Sequence, residues 1–332
     1  MREFWRGVVH VLEEGAPVEL VSILSASGST PRGAGALMAV LADGRSFGTI
    51  GGGNVEYTAQ KTALELLERG EDGLREFRFV PGDAASLGMV CGGDVTVQFQ
   101  YLPAGDQRAL TVLRELVTAF GGSADTWLVR RVENGRVTAM ACADRCGTAR
   151  TPWPLPEGLL QSRSVFLGGW SALPAVRAGK VYICGGGHVS RALVPAIAAV
   201  GFRPVVYDDR PEFADPALFP AAEALLCGPF SDFSRQVPVS GDDYVVIMTR
   251  GHQADYEVLM QVLRSPARYL GCIGSRRKLA LCRGRLEAAG FTAEEYGRLH
   301  APIGLDIGAE TPEEIAVSVA AELIAVRAGK LK

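Results

Sequence analysis

The sequence lacks the features of a membrane protein, a secreted disulfide scaffold or a nucleic-acid binder. No apolar run reaches the roughly 20 residues that a membrane-spanning helix requires. The seven cysteines are an odd number without the spacing of secreted domains, so we expect a reduced, cytoplasmic protein. Basic and acidic residues are near balance, 34 against 37, which argues against nucleic acid as a partner. The first residues have mixed charge and no small-residue cleavage site, so no signal peptide is expected.

Familiar catalytic and metal motifs are also missing. The sequence contains no Ser-His-Asp elbow, HExxH pair, Walker loop or paired-carboxylate spacing. The four histidines are spread along the chain, and Cys142-x-x-x-Cys146 has no second Cys or His pair beside it, so we predict no metal site. The residues alone therefore leave open whether the chain is an enzyme.

The length and the pattern of elements predict two α/β domains. A chain of 332 residues can form two domains with substantial cores. Residues 1–149 mix strand and helix signals and predict an N-terminal α/β domain. Residues 150–179 are rich in proline and glycine and predict a linker with little regular structure. Residues 180–332 alternate strand and helix, which is typical of a doubly wound, Rossmann-like parallel sheet.

The second domain begins with a strand, a glycine turn and a helix start. The segment Val181–Arg191 contains Gly185-x-Gly187-x-x-Ser190, a dinucleotide fingerprint with Ser in place of the third Gly. Glycines let the backbone approach a ligand, and the first amides of the helix remain available for an anion. Asp208 ends the next strand, where an acid could bind a ribose hydroxyl, whereas Arg210 could meet an extra phosphate. The sequence therefore predicts nucleotide or phosphate binding here. A degenerate fold that uses the glycines only for packing is the alternative.

Polar side chains also follow two later strands of this domain. Arg250 and His252 come after one strand, and Ser275, Arg276 and Arg277 come after the next. Because ligands of open α/β sheets bind at the carboxyl ends of the strands, we expect these loops to converge on the glycine turn. Cations at a helix start are disfavoured by the helix dipole, which suggests a phosphate or carboxylate partner. A solvated basic face is the alternative.

The first domain has two glycine-rich passages of its own. Gly51-Gly52-Gly53 precedes a predicted helix over Val55–Arg69, with Asn54 as the expected N-cap. Cys91 is followed by two glycines, which would leave its thiol approachable. A thiolate there could contact a metal or carry sulfur, or the residue could simply pack in the core.

The sequence resembles the XdhC/CoxI family of molybdenum-cofactor chaperones. The matching blocks are Gly28–Arg32, Gly48–Glu56, Cys91–Gly93, Gly185–His188, Thr249–His252, Gly274–Lys278 and Pro302–Gly308. The resemblance implies binding of the molybdenum cofactor, support for exchange of an oxo ligand for sulfur, and delivery to a xanthine dehydrogenase-type client. It also suggests a cysteine desulfurase and a second copy of the chain as partners. Proteins of this group are sometimes labelled as the dehydrogenase itself, but this chain has no iron–sulfur spacing and is too short for that enzyme.

The residues and the resemblance together define a candidate site. Cys91 is the candidate contact to sulfur or molybdenum. The predicted cofactor-binding residues are Ser29, Thr30, Arg32, Gly51, Gly52, Gly53, Asn54, Glu56, Gly92 and Gly93 in the first domain, and Gly185, Gly186, Gly187, His188, Asp208, Arg250, His252, Ser275, Arg276 and Arg277 in the second.

Two other functions remain open at this stage. The second domain could serve an NAD(P)-dependent oxidoreductase, although no proton donor can be nominated, or a nucleotide sensor without chemistry. The sequence also leaves open whether a molybdopterin cofactor would be bound in its mono- or dinucleotide form.

Overall fold

The computed structural model describes residues 1–28, 30, 32–79, 93–122, 124–144 and 151–331. The chain forms two compact units, Met1–Arg177 and Ala178–Lys332. Within the described ranges, no helix is long and apolar enough to cross a membrane.

The first unit contains three helices and two antiparallel sheets within its described part. Its elements are α1 (Arg2–Glu13), β1 (Val18–Gly28), β2 (Leu37–Leu41), β3 (Ser46–Thr49), α2 (Gly53–Arg69), β4 (Gly73–Phe79), β5 (Gly93–Leu102), α3 (Gln107–Ala119), β6 (Thr126–Glu133), β7 (Arg136–Asp144), β8 (Val165–Leu167) and β9 (Trp170–Val176). The strand orders are β3-β2-β1-β5-β4 and β7-β6-β9-β8.

Alternation along the strands divides the core of this unit between the two faces of the five-stranded sheet. Leu20 of β1 packs in one cluster with Trp5 of α1 and Leu113 of α3. Val21, the next residue, packs in another cluster with Ala59 of α2. Successive side chains of a strand point to opposite faces, so α2 covers one face and α1 and α3 cover the other.

The β6–β7 hairpin turns at Asn134 and Gly135. Asn134 and Gly135 have φ values of 50° and 78°. Positive φ at both central residues is required by a type I′ turn, which suits the twist of the flanking strands.

The prediction of little regular structure over residues 150–179 needs correction. Strands β8 and β9 lie in this segment, and β9 pairs with both β6 and β8. Trp170 and Leu173 are buried there. Pro174 does not prevent pairing, because it lies beside a register shift between β6 and β9. Burial of apolar side chains therefore outweighs the local proline and glycine signals.

The second unit is a six-stranded sheet flanked by helices. Its elements are β10 (Lys180–Cys184), α4 (His188–Ala199), β11 (Arg203–Asp208), β12 (Ala224–Cys227), α5 (Phe233–Gln236), β13 (Tyr244–Ile247), α6 (His252–Val262), β14 (Tyr269–Cys272), α7 (Arg276–Ala288), α8 (Ala293–Gly297), β15 (Leu299–His300) and α9 (Pro312–Arg327). The strand order is β12-β11-β10-β13-β14-β15, and every pair is parallel. The predicted Rossmann-like sheet is confirmed.

Both faces of this sheet are covered, as parallel strands require. Residues of α4 and α9 form one core cluster with alternate sheet residues, and residues of α6 and α7 form the other. Helix α9 begins with a capping box between Thr311 and Glu314, which satisfies backbone donors at its start.

Candidate functional site

A cleft lies at the carboxyl edge of the parallel sheet, where the strand order reverses. Strand β10 pairs with β11 on one side and β13 on the other, so the connections diverge at this point. Ligands of doubly wound sheets bind at such a switch point. A cavity of about 270 Å³ lies here, lined by Gly185, Gly187, His188, Val189, Ser190, Arg210, Met248, Thr249, Arg250 and Ile273. None of these described lining residues is acidic.

The three glycines of the turn have different reasons for lacking a side chain. Gly185 has φ +112°, and a Cβ there would lie 2.3 Å from the carbonyl oxygen of Met248. A Cβ on Gly186 would lie 2.5 Å from the carbonyl oxygen of Phe213. Gly187 has φ −72°, and a Cβ there would meet nothing within 4 Å. Gly185 and Gly186 are thus required by the fold, whereas Gly187 leaves open space beside the cleft.

The start of α4 presents backbone donors to this space. The first helical hydrogen bond runs from the Arg191 N–H to the Gly187 carbonyl, so the preceding N–H groups have no partner within the helix. Ser190 is buried and donates its hydroxyl hydrogen to the Gly185 carbonyl at 2.5 Å. This bond closes the turn at the position that the fingerprint usually gives to glycine. The turn can therefore hold an anion with its backbone alone.

Both carboxylate oxygens of Asp208 already accept hydrogen bonds from the protein. Its Oδ2 accepts from the Gly186 N–H at 2.7 Å and from Arg210 Nη2 at 3.1 Å. Its Oδ1 accepts from the Arg210 backbone N–H at 3.0 Å and from Arg210 Nε at 2.9 Å. Burial alone would raise the pKa of Asp208, but the bonds from Arg210 and Gly186 lower it. A carboxylate accepts about four hydrogen bonds, so a ribose hydroxyl would have to displace one of these donors. The predicted ribose contact of Asp208 stays a prediction.

Two arginines of the cleft pair with acids, Arg210 with Asp208 at the end of β11 and Arg250 with Asp209, the next residue. The guanidinium of Arg210 lies 3.5 Å from the ring centroid of Phe213. Arg250 Nη2 lies 2.9 Å from Asp209 Oδ2. These contacts hold both guanidinium groups at the cleft, where they offer donors to a phosphate.

The expected convergence of strand-end loops on the glycine turn is correct in part. Arg250 and His188 line the cleft with the turn. His252, Ser275 and Arg277 instead line a neighbouring cavity of about 230 Å³, with Lys278, Leu281, Cys282 and Arg285. Leu281, Cys282 and Arg285 are not among the site residues predicted from the sequence. A signal for two of them was present, because Arg277, Leu281 and Arg285 recur every four residues and so share one face of α7.

A buried carboxylate links the two loops. Thr249 donates from its N–H at 3.1 Å and from its hydroxyl at 2.5 Å to Asp255 Oδ1. Lys278 Nζ lies 2.6 Å from Asp255 Oδ2. Ser275 caps α7 by accepting from the Lys278 N–H at 3.3 Å. Asp255 therefore ties the loop after β13 to the start of α7.

In the first unit, the carboxylate of Glu56 occupies the backbone donors of the Gly51–Gly53 turn. Glu56 Oε2 accepts from the Thr49 hydroxyl at 2.5 Å, the Ile50 N–H at 3.0 Å and the Gly52 N–H at 3.1 Å. Burial alone would raise the pKa of Glu56, but these bonds lower it. Glu56 thus holds the turn in shape, and cofactor binding by Gly51–Gly53 stays a prediction.

The prediction that Asn54 is the N-cap of α2 is wrong. The N-cap is Gly52, and the helix begins at Gly53. Gly52 and Gly53 both have positive φ, which lets the chain enter the helix earlier than the propensity of Asn suggests.

Several predicted residues of the first unit lie at one end of its five-stranded sheet. Gly28 pairs with Gly93, and Leu37 at the start of β2 pairs with Thr49 at the end of β3. Thr30 and Arg32 follow β1, and the Thr30 hydroxyl donates to the Arg32 carbonyl at 3.1 Å. The turn after β3 lies at this same end. Ser29, Cys91 and Gly92 lie outside the described residues, as does the side chain of Arg276.

Family comparisons identify both units. Residues 181–323 match the XdhC Rossmann domain, and residues 11–78 match the XdhC and CoxI family. The chain belongs to the XdhC and CoxI family. This confirms the resemblance seen in the sequence, and the XdhC Rossmann domain contains both cavities described above.

Three curated proteins are similar along most of this XdhC-family chain. The chain is 28% identical over 329 residues to the molybdenum cofactor insertion chaperone PaoD of Escherichia coli K12, covering 98% of the chain and 88% of PaoD. It is 27% identical over 330 residues to a probable xanthine dehydrogenase subunit of Bacillus subtilis 168, covering 96% and 95%. It is 29% identical over 316 residues to the uncharacterized protein YqeB of Escherichia coli K12, covering 95% of the chain but only 44% of YqeB.

A solved structure shares the fold. The crystal structure of a protein named xanthine dehydrogenase from Bacillus halodurans superposes with a TM-score of 0.80 at 23% sequence identity, over 99% of this chain and 97% of that one.

Proposed function

We propose that this protein binds the molybdenum cofactor and supports its sulfuration and its insertion into a xanthine dehydrogenase-type molybdenum hydroxylase. The observation that carries the proposal is the cleft at the Gly185–Gly187 turn, which is lined by the start of α4 and two arginines and by no acidic described residue. The names of PaoD and of the Bacillus subtilis relative support the cofactor and the client. A cysteine desulfurase and a second copy of the chain are further partners that we propose on the family resemblance.

The residues of the cleft fit the phosphate end of such a cofactor. The backbone donors at the start of α4 and the guanidinium groups of Arg210 and Arg250 would hold a phosphate, and no described lining residue would repel it. The space beside Gly187 lets the ligand approach the backbone. When bound, the cofactor supplies the molybdenum centre at which an oxo ligand is exchanged for sulfur.

The substitution Gly187→Ala tests this proposal. The backbone of Gly187 suits alanine and its Cβ would meet no protein atom, so stability should change by less than about 1 kcal/mol. The added methyl would enter the space proposed for the phosphate. Because such crowding costs about 1–3 kcal/mol, we expect the affinity for pterin to fall by about fivefold or more.

The measurement is the pterin content of protein purified from a molybdenum-replete host. Gly251→Ala is the matched control, because Gly251 is also an N-cap glycine with open space around its Cα but does not line the cleft. Equal pterin content in wild type and Gly187→Ala would reject the cleft as the cofactor site. Bound NAD(P) in place of pterin would favour the oxidoreductase, which the dinucleotide-type strand order also accommodates.

We also propose that Cys91 contacts molybdenum or passes sulfur to it. The proposal rests on the Cys91-Gly92-Gly93 sequence and the family resemblance, because Cys91 lies outside the described residues. The variant Cys91→Ser should keep its thermal melting temperature and lose several-fold in retained cofactor, in delivery of sulfurated cofactor to a client, or in both. Full retention with full client activation would instead identify Cys91 as a packing residue.

A further inference from the structure

The cavity between α6 and α7 concentrates positive charge that the described residues neutralise only in part. Arg277, Lys278 and Arg285 supply this charge, His252 lies beside them, and none of the described residues that line the cavity is acidic. Lys278 has its own counterion in Asp255. The side chains of Arg277 and His252 have no hydrogen-bond or ion-pair partner in the described part of the chain. Like charges that converge on one small volume destabilise a fold unless an anion joins them.

Two of these cations are held in place by neutral or buried groups. Arg285 Nη2 donates to Gln253 Oε1 at 3.1 Å, and the Arg285 guanidinium lies 3.9 Å from the ring centroid of Tyr256. Lys278 is tied through Asp255 to the loop after β13. The charges at the cavity are therefore positioned before any ligand arrives, while Arg277 is exposed and able to adapt.

The same cavity has an apolar side. Leu281 lies between Arg277 and Arg285 on α7 and is 68% exposed. Cys282, which is buried, lines the cavity beside it. An inorganic ion would leave this side uncovered, whereas an organic phosphate would cover it with its carbon skeleton.

We propose that this cavity is a second ligand site, which binds a small organic phosphate monoester. Its phosphate lies among Arg277, Lys278 and Arg285, and its apolar body lies on Leu281 and Cys282. The inference goes beyond the proposed cofactor role, because the cavity shares no lining residue with the glycine-turn cleft. It reassigns His252, Ser275 and Arg277 from the predicted cofactor set to this separate site.

The test is calorimetric titration of the full chain with phenyl phosphate in phosphate-free buffer. All variants carry Gly187→Ala to suppress binding at the glycine turn, and Arg277 and Arg285 do not line that cleft, so their effect is distinguishable from a failure of the cofactor proposal. We expect Arg277→Gln and Arg285→Gln each to weaken phenyl phosphate binding by about tenfold or more, and the double variant to show no binding, since hydrogen bonds to charged groups are the strong ones. Inorganic phosphate should bind more weakly than phenyl phosphate.

Arg283→Gln is the matched control on the same helix. Arg283 is exposed, pairs with Glu287 at 2.8 Å, and does not line the cavity. Its variant should bind as tightly as the parent. A second readout needs no ligand: at low salt the double variant should melt at a higher temperature than the parent, and this gain should shrink in high salt.

Three results would overturn the proposal. One is equal binding of phenyl phosphate by the parent and the double variant. Another is an equal loss in Arg283→Gln. The third is inorganic phosphate binding as tightly as phenyl phosphate, which would reject an organic ligand.

Discussion

Gly185→Ala is expected to lower the free energy of unfolding of the second unit by about 3 kcal/mol or more. Gly185 has φ +112°, a conformation that alanine rarely adopts. Its added Cβ would also lie 2.3 Å from the Met248 carbonyl oxygen, which belongs to the backbone directly after β13 and cannot rotate away as a side chain would. Relief requires β10 and β13 to separate, and they are the two central strands of the sheet.

Two optical signals distinguish unfolding of the second unit from unfolding of the first. All four tryptophans, Trp5, Trp127, Trp153 and Trp170, lie in the first unit. We therefore expect far-UV circular dichroism to show earlier unfolding in urea for Gly185→Ala, with little change in the tryptophan fluorescence transition. Gly187→Ala is the matched control and should unfold like wild type. Unchanged circular dichroism in Gly185→Ala would show that the turn adapts to a side chain, contrary to this expectation.

The glycine turn was predictable because its determinants are local. A strand, three glycines, a helix and an acid follow one another within Val181–Asp208, and the structure has these elements in that order. The substitution of Ser190 for glycine is also readable, because a small residue still allows helix and strand to pack closely. The sequence could not show which of the three glycines the fold requires. That depends on the Met248 and Phe213 carbonyl oxygens, which the fold places against Gly185 and Gly186 but not against Gly187.

Charged residues were the least predictable part of the site. Asp208 has the position of a ribose-binding acid, yet Arg210 and the Gly186 N–H already engage it. Glu56 was expected to bind cofactor, yet it holds its own glycine turn. Whether each carboxylate binds a ligand or a backbone N–H depends on positions that differ by a few ångströms. The spacing of residues along the chain does not determine such positions.

The second cavity and the strands within residues 150–179 were not predicted for the same reason. Lys278 and Arg285 meet His252 only because α6 and α7 pack side by side on the sheet. Strand β9 pairs with the edge of β6, and β8 then pairs with β9. Both features depend on long-range contacts, which override local signals.

A second large effect concerns a carboxyl group buried in the first unit. Glu19 of β1 is 0% exposed, and neither side-chain oxygen has a hydrogen-bond partner among the described residues. Burial, and next the charge of Asp72, raise the pKa of Glu19 to about 9. At neutral pH the folded protein therefore keeps a proton on Glu19 that the unfolded chain releases.

The sign of the pH dependence follows from this difference in bound protons. Between the ordinary pKa of 4.5 and the raised value of about 9, the folded state binds more protons than the unfolded state, so stability falls as pH rises, by about 1.4 kcal/mol per pH unit. The contribution of protonated Glu19 to the free energy of unfolding is fully present below pH 4.5 and is lost as pH rises past about 9. At pH 7 the loss amounts to about 3 kcal/mol.

Glu19→Gln should remove this penalty, because the amide stays neutral at every pH in this range. We expect the variant to be more stable than wild type at pH 7 by up to about 3 kcal/mol, and the gap to grow from pH 5 to pH 8. Urea unfolding followed by tryptophan fluorescence measures it in the first unit. The control is Glu68→Gln on the exposed side of α2, which should follow the wild-type curve at each pH. If Glu19→Gln and wild type differ by a constant amount across this range, Glu19 is ionised in the fold. Such a carboxylate would need a cation beside it, and both Glu19 oxygens lack a hydrogen-bond partner among the described residues.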